Sequence, residues 1–380
     1  MRIIVFINSL YTGGAEFSTL TFYGWLLKRG HDVRLVCSKQ ANPSYDPQQF
    51  GFDRVHYLDG HNFPTRLRAL NRFIREVQPE LVHSVLFDAN LLARVSRMRL
   101  RSFVHLESLV NEMYSPFRLA DPHVTRMKLE GYRLVDGITQ HWGVDHFHAN
   151  GQSVAKHYHD KLNIAAHRMT IIPRGRQSNP FIGDALNRES VRKQLRTGNR
   201  VMLINVARQE FQKGIEVLVE SLNKLGGEKE KIQLVLAGRE GNRTSLIREK
   251  IREGNLEHQV VMVGHRQDIP SLLAAADVFV FPSRFEGLPG ALIEAEAAGL
   301  PIVCSDIPNN GEVVIENRNA LFFPVDDVDT LAHHLQQLVT QADRRITFGS
   351  ESSRIFKESF DITLIHERME TLLKDLLTKS

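Results

Sequence analysis

The sequence predicts an α/β protein of two tandem Rossmann-like domains, with parallel sheets facing across an interdomain cleft. Three observations predict it. Short β-branched runs alternate with amphipathic stretches along the whole chain, the pattern of parallel strands covered on both faces. The series breaks once, at residues 174–187, where Gly175, Pro180 and Gly183 sit among polar residues without apolar periodicity. Such a segment reads as a linker. The length, 380 residues, suffices for two domains of ordinary size.

The strands of the first series are expected at residues 3–7, 33–37, 81–86, 103–106 and 169–172. Those of the second are expected at 201–206, 232–237, 260–263, 278–281 and 302–304. A helix follows the first strand over residues 15–28, with Leu20, Tyr23 and Leu27 at helical spacing and Gly30 as its stop. A last helix is expected over residues 361–379, with Ile365, Met369, Leu372, Leu373 and Leu376 as its apolar set. The domains are then residues 1–175, a linker at 176–190, and residues 191–360. The tail helix, about 361–380, packs back on the first domain in this reading.

Composition narrows the class. Hydrophobic residues make up 42% and charged residues 24%, an ordinary globular balance. The two cysteines, Cys37 and Cys304, each lie in an apolar run, which argues against a disulfide framework and for a reducing cytoplasm. No apolar run reaches the roughly 18 residues of a membrane span, and the first ten residues lack the build of a signal peptide. Residues 1–180 hold 23 Lys+Arg against 15 Asp+Glu, while the rest of the chain holds 25 against 29. Two arginine clusters contribute: Arg66, Arg68, Arg72 and Arg75, then Arg94, Arg97, Arg99 and Arg101. They suit an anionic membrane surface or a polyanionic acceptor, and equally solvated helix faces. No nucleic-acid motif accompanies them, so nucleic acid is not an expected partner.

Ligands of open parallel sheets bind at the carboxyl ends of the strands. The chemically suggestive residues fall there. Gly13-Gly14-Ala15-Glu16 follows the first strand and opens a helix. It is not the G-x-G-x-x-G fingerprint, which disfavours a nicotinamide enzyme; alone it reads more readily as a plain strand-to-helix turn. Arg208 and Lys213 follow the strand 201–206. A guanidinium and an ammonium form a clamp for a diphosphate, and cations placed there stabilise a leaving group that gains charge; taken alone, the two read more readily as surface cations. Glu286 and Glu294 flank a loop and the first turn of a helix, after the run Phe279-Val280-Phe281-Pro282-Ser283. Amides at a helix start favour an anion, and carboxylates accept hydrogen bonds from hydroxyls. A ligand with both phosphates and hydroxyls is a nucleotide-sugar. The plainer alternatives are a carboxylate on a helix dipole, a loop carboxylate, or a glycosidase pair, the last at odds with a doubly wound fold. His105 reads as the end of an apolar strand beside Glu107, either contacting a sugar hydroxyl or simply buried and satisfied; His83 reads more strongly as buried. His141, His146, His148, His157 and His159 match no zinc spacing.

Together these pieces resemble the retaining nucleotide-sugar glycosyltransferases of family 4, whose fold is GT-B (glycosyl transferases group 1). The resemblance covers nearly the whole chain and is strongest over residues 201–312. It rests on Gly13-Gly14-Ala15-Glu16, Arg208 with Lys213-Gly214, Leu236-Ala237-Gly238, Val263-Gly264, Ala276-Asp277-Val278, Pro282-Ser283 with Glu286-Gly287, Glu294-Ala295, Ala298-Gly299-Leu300-Pro301-Ile302-Val303 and Gly311-Glu312. The E-x7-E pair in that context is its most specific part.

The resemblance implies roles. Arg208 and Lys213 bind the donor diphosphate, Glu294 the ribose hydroxyls, and Glu286 the transferred sugar near its reacting side. Backbone amides at Gly287, Leu288, Gly290 and Ala291 lie near sugar or phosphate. Gly13 and Gly14 let the pyrophosphate approach the first domain. Gly264, His265 and Arg266 join the donor-binding set, and His105 is the strand-end histidine that contacts the donor sugar. No metal and no other cofactor is expected, since protein cations take the metal's place. Three departures stand out. Pro173-Arg174-Gly175 replaces the usual Pro-Asn-Gly, Glu294-Ala295-Glu296-Ala297 the frequent Glu-Ala-Met-Ala, and Gln140-His141-Trp142-Gly143 is unusual.

The expected activity is transfer of a hexose or N-acetylhexosamine from a UDP- or GDP-sugar to a hydroxyl, with retention. The acceptor is lipid-linked or a polysaccharide, as in cell-surface polysaccharide or lipopolysaccharide assembly. The expected location is cytoplasmic, with peripheral contact on the inner face of the membrane as a further option. Two other classes compete: a nucleotide-sugar epimerase on the same fold, and a non-catalytic nucleotide-sugar-binding protein.

Overall fold

The structure is a computed structural model that describes residues 1–10, 14–40, 45–120 and 124–379. Gly13 lies outside the described residues. The chain divides into two compact units: Met1–Gly175 with Thr363–Ser380, and Arg176–Ile362.

The first unit is built on seven parallel strands: β1 Arg2–Ile7, β2 Asp32–Cys37, β3 Val55–Tyr57, β4 Leu81–Val85, β5 Val104–Leu109, β6 His146–Ala149 and β7 Met169–Ile171. Their order in the sheet is β3-β2-β1-β4-β5-β6-β7. β1 pairs with β2 on one side and β4 on the other. Its residues Ile3 to Ile7 are all buried, as expected of a central strand covered on both faces. The helix Gly14–Lys28 follows β1 and packs Leu20, Tyr23 and Leu26 into the same core.

The tail belongs to this unit. The helix Ile362–Thr378 contributes Ile365, Met369 and Leu373 to the core formed with β1 and β2. Its Glu370 receives Arg29, His31 and Lys374. Burial alone would raise that carboxyl, but the hydrogen bonds from these three partners hold it down at about 2.

The second unit has six parallel strands: β8 Val201–Val206, β9 Ile232–Ala237, β10 Val260–Gly264, β11 Val278–Phe281, β12 Ile302–Ser305 and β13 Ala320–Phe323. Their order is β10-β9-β8-β11-β12-β13. The chain winds outward from β8 in one direction and from β11 in the other. The switch point of this sheet is therefore the crevice beyond the carboxyl ends of β8 and β11.

The structure differs from the sequence expectation in five elements. β3 and β13 are only three and four residues long, too short to stand out as apolar runs. β6, His146-Phe147-His148-Ala149, is masked by its histidines. β5 runs three residues further than expected, through Glu107 and Ser108 to Leu109. The linker is shorter than residues 176–190, because the helix Ala185–Gln194 begins inside it.

β5 is extended by a buried ion cluster. Glu107 is 1% exposed and accepts Arg94 Nε at 2.7 Å and Nη2 at 2.5 Å. Arg94 also donates to Asp136 at 2.6 Å, and Asp136 accepts the hydroxyl of Tyr114. A carboxylate so paired can occupy a core strand, which an isolated one cannot. The second arginine cluster is correspondingly not a free basic surface: Arg94 is buried, and Arg97 is paired with Asp145 at 2.7 Å.

Candidate active site

Two loops meet at the switch point of the second sheet. One follows β8 (Arg208 to Gly214) and the other follows β11 (Pro282 to Gly287). Gly214 has φ +58° and lies so close to the Pro282 carbonyl that a Cβ would sit 2.2 Å from its oxygen. Only glycine meets both conditions. The loops are then stapled: Arg284 N donates to Gln212 O at 2.8 Å, and Gln212 Nε2 donates to Phe285 O at 2.7 Å. The Arg284 guanidinium lies over the Phe211 ring and donates to Glu216 at 3.0 Å and Asp326 at 2.8 Å.

This arrangement brings Lys213 to Glu286. The ammonium lies 2.5 Å from Glu286 Oε1, with side chains 15% and 10% exposed. It also lies 5.6 Å from the centre of the Phe281 ring, a second electrostatic contact. Arg208 is not part of that contact: it is 61% exposed and pairs with Glu210 at 2.8 Å.

The helix Gly290–Ala297 starts beyond the second loop. Pro289 takes the cap position, and its side chain makes no cap hydrogen bond. Leu288 is buried in the core beneath and Ala291 packs against the same cluster, which fixes the start of the helix. Glu294 lies on its second turn and is bonded by Arg176 Nε at 2.7 Å. Arg176 is 10% exposed, and a Cβ on Gly290 would meet its Nη2 at 2.2 Å. A guanidinium thus lies across the helix start and onto Glu294. The sequence reading missed Arg176. Its only signal there was its place directly after the unusual Pro173-Arg174-Gly175 run.

Gly264 ends β10 with φ +67° and open space around it. His265 is exposed. Arg266 spends its fork on Asp268, at 2.7 and 2.5 Å, the residue that precedes the helix Ile269–Ala275. In the first unit, Gly14 opens the helix after β1, and Arg174 Nη1 lies 2.7 Å from where its Cβ would be. Burial raises the neighbouring Glu16 carboxyl against the opposing pull of its backbone hydrogen bond and Arg174.

His105 does not stand at the carboxyl end of its strand, as the sequence suggested. It is the second residue of β5, at the amino end, because the strand continues to Leu109. The ring is fully buried. Its Nδ1 donates to the Gly143 carbonyl, so its Nε2 accepts the Ser84 hydroxyl at 2.8 Å. Burial lowers this imidazole to about 4, keeping it neutral. It joins β4 and β5 to the end of the helix Arg126–Gly143.

The carboxyl end of β5 carries a different constellation. Ser108 bonds His83 Nε2 and His148 Nδ1, both at 2.7 Å. His148 Nε2 donates to the Ile172 carbonyl at 2.8 Å, and His83 Nδ1 meets the Tyr23 hydroxyl at 2.6 Å. The carbonyl can only accept, which fixes the whole chain: Tyr23 donates to His83, His83 to Ser108, Ser108 to His148, and His148 to Ile172. Burial lowers His148 to about 4 and holds His83 well below the usual imidazole range. His83 is thus the buried, satisfied histidine the sequence suggested.

Comparison with known proteins agrees with the fold and motifs. Residues 12–177 match Glycosyltransferase Family 4, and residues 187–354 match Glycosyl transferases group 1. The chain belongs to this family of glycosyltransferases with the GT-B fold. A segment of 100 residues is 38% identical to the Escherichia coli UDP-Gal:alpha-D-GlcNAc-diphosphoundecaprenol alpha-1,3-galactosyltransferase, covering 26% of this chain and 25% of that one. Another, of 188 residues, is 27% identical to the Mycobacterium tuberculosis GDP-mannose-dependent alpha-(1-6)-phosphatidylinositol monomannoside mannosyltransferase, covering 47% and 49%. These matches span between a quarter and half of the relatives' length. The crystal structure of Anabaena HepE in complex with UDP superimposes with TM-score 0.87 at 18% identity, over 99% of this chain and all of that one. At that identity the likeness concerns the fold.

Proposed function

We propose that this chain is a retaining hexosyltransferase. It moves a hexose or N-acetylhexosamine from a UDP- or GDP-sugar to a hydroxyl of a lipid-linked or polysaccharide acceptor in cell-surface glycan assembly. The observation that carries this reading is the Lys213–Glu286 pair, held at 2.5 Å at the β8–β11 switch point.

In this reading the donor diphosphate lies against Lys213, with the exposed Arg208 turning from Glu210 to meet it. The C1–O bond to the phosphate breaks, and the acceptor oxygen bonds C1 on the same face. The acceptor proton passes to an oxygen of the departing diphosphate. Charge grows on that diphosphate as the bond breaks, and a fixed ammonium stabilises it more in the transition state than in the ground state. Glu286, oriented by Lys213, receives a hydroxyl of the transferred sugar. Glu294, oriented by Arg176, receives the ribose hydroxyls. Gly290 and Ala291 present helix-start amides to phosphate or sugar. Protein cations supply the countercharge, so turnover is expected to survive a chelator. The relatives are consistent with either donor base, since one is named for UDP-galactose and another for GDP-mannose.

The test is incubation with a panel of UDP- and GDP-sugars and undecaprenyl-diphosphate-linked acceptors, followed by NMR of the product anomer. Transfer with retained configuration supports the reading. Inversion would remove the mechanism. A new nucleotide-sugar formed without acceptor would assign an epimerase, and binding without turnover a non-catalytic protein.

A further inference from the structure

The helix Arg126–Gly143 has two faces of opposite kind. Its inner face carries Leu129, Asp136, Gln140 and Gly143, all buried. That face is locked in place: Arg94 bonds Asp136 at 2.6 Å, and a Cβ on Gly143 would meet Arg94 Cβ at 2.6 Å. Thr125 caps the amino end by accepting from Lys128 N, and Arg168 closes the carboxyl end through the carbonyls of Gln140 and Val144.

The outer face should then be polar, and it is not. Met127 is 83% exposed, Leu134 65%, Ile138 55% and Trp142 74%. Their spacing of seven, four and four residues puts them on one line along the helix. Val135 and Tyr132 widen the stripe. Six of the fifteen large apolar side chains exposed among the described residues lie on this one helix. Scattered singly such residues need no explanation, but a continuous stripe marks a surface that something covers.

The charges around it indicate what. Arg126, Lys128 and Arg133 are exposed beside the stripe; Glu130 is the one acidic residue among them and is paired with Arg133. Residues 1–180 carry the chain's excess of positive charge, 23 Lys+Arg against 15 Asp+Glu. Two copies of so basic a unit repel each other, whereas an anionic bilayer attracts it. The stripe ends on an exposed tryptophan, a side chain suited to the headgroup boundary. No described helix is long and apolar enough to cross a membrane, so contact here is contact along the surface.

We propose that the outer face of the helix Arg126–Gly143 is the surface by which this chain docks on an anionic lipid bilayer. Met127, Leu134, Ile138 and Trp142 enter the boundary between headgroups and acyl chains, and Arg126 and Lys128 meet the headgroups. An acceptor carried on a lipid would be met at that surface. The docking itself does not depend on the donor chemistry, and Lys213→Ala is expected to dock unchanged.

The test is co-sedimentation of the full chain with phosphatidylcholine vesicles, with and without about one-third phosphatidylglycerol. Binding is expected to the anionic vesicles and to weaken with added salt. Tryptophan emission should shift to the blue on binding, and Trp142→Phe should lose that shift while still binding. The triple variant Leu134→Ser, Ile138→Ser, Trp142→Ser should bind at least about tenfold more weakly, since three buried apolar contacts are removed. These side chains are exposed, so the variants should melt as the parent does. Absence of binding by the parent chain would overturn the proposal, as would equal binding by parent and triple variant. So would a dimer, seen by sedimentation and abolished by the triple variant, in a chain that ignores vesicles.

Discussion

Lys213 Nζ lies 2.5 Å from Glu286 Oε1, and this ion pair joins the loop after β8 to the loop after β11. The two residues are 73 positions apart in sequence. They meet because Gly214 lets the first loop press its backbone onto Pro282. The carboxylate that would orient a sugar and the cation that would receive a leaving diphosphate are therefore set by one contact. Lys213→Ala is expected to lower kcat by about 10²–10³, the scale of losing one electrostatic stabiliser in a transition state. Donor-transfer kinetics on protein confirmed folded by its melting curve check this. An unchanged kcat would remove Lys213 from the chemistry.

Arg176 and Glu294 form a second pair, at 2.7 Å, across the start of the helix Gly290–Ala297. If Glu294 receives the ribose hydroxyls, the parent chain distinguishes a nucleoside diphosphate from its 2′-deoxy form, and Glu294→Ala loses that distinction. Arg176→Ala should weaken nucleotide binding by about tenfold through the misplaced carboxylate, and much less in a Glu294→Ala background. Titration calorimetry of the four proteins measures that coupling directly. Additive losses would mean that the two residues act separately.

His105 separates a structural role from a chemical one. Its ring is buried and holds Ser84 and the Gly143 carbonyl. His105→Ala should cost about 2–4 kcal/mol of stability by stranding both partners and leaving a cavity. The fraction that remains folded should turn over normally. A folded variant with a large loss of kcat and an unshifted melting point would restore a catalytic role.

Glu296 gives a pH-dependent prediction. Burial raises its carboxyl well above the usual range, only partly opposed by the hydrogen bond from Asn319 at 2.9 Å. Its Oε2 has no hydrogen-bond partner among the described residues. A carboxyl raised on folding stabilises fully below its unfolded value, and that contribution is lost as pH rises toward the folded value. Glu296→Gln, which cannot ionise, should therefore gain on the parent as pH rises above the ordinary carboxylate range. Denaturant melts at several pH values measure this. A difference that does not grow with pH would mean that Glu296 stays ionised in the fold.

Glu370 runs the other way. Its carboxyl is held at about 2 by hydrogen bonds from His31, Lys374 and Arg29, which outweigh its burial. Stability from a depressed carboxyl is present above its unfolded value and is lost as pH falls through the folded one. The hold on the helix Ile362–Thr378 should weaken between about pH 4.5 and 2, and Glu370→Gln should remove that dependence. An acid transition unchanged by the substitution would place its origin elsewhere.

Much of this molecule was legible in its sequence, for identifiable reasons. The long strands of both sheets announce themselves because a parallel strand covered on two faces is apolar throughout. The positions of Lys213 and Glu286 in the loops after β8 and β11, and of Glu294 on the helix that follows, were legible because each lies just after an apolar strand or near a helix start. The illegible parts depended on partners distant in sequence. Glu107 reads as the end of a strand until Arg94 is seen beside it. Once β5 extends to Leu109, His105 moves from the carboxyl end to the amino end. Arg176 looks like linker polarity until Gly290 and Glu294 are placed against it. The stripe on the helix Arg126–Gly143 is spelled out in sequence, but only the burial of the opposite face shows that it points outward.

The most direct measurement is a thermal-shift titration with UDP, GDP and ADP and their sugars, on the parent chain and on Lys213→Ala and Glu294→Ala. A ligand that binds the native state alone raises the melting temperature by mass action. The account predicts that one nucleotide and its sugar stabilise the parent chain, and that each substitution removes most of that gain. No stabilisation by any of them, or stabilisation that both variants retain in full, would contradict it.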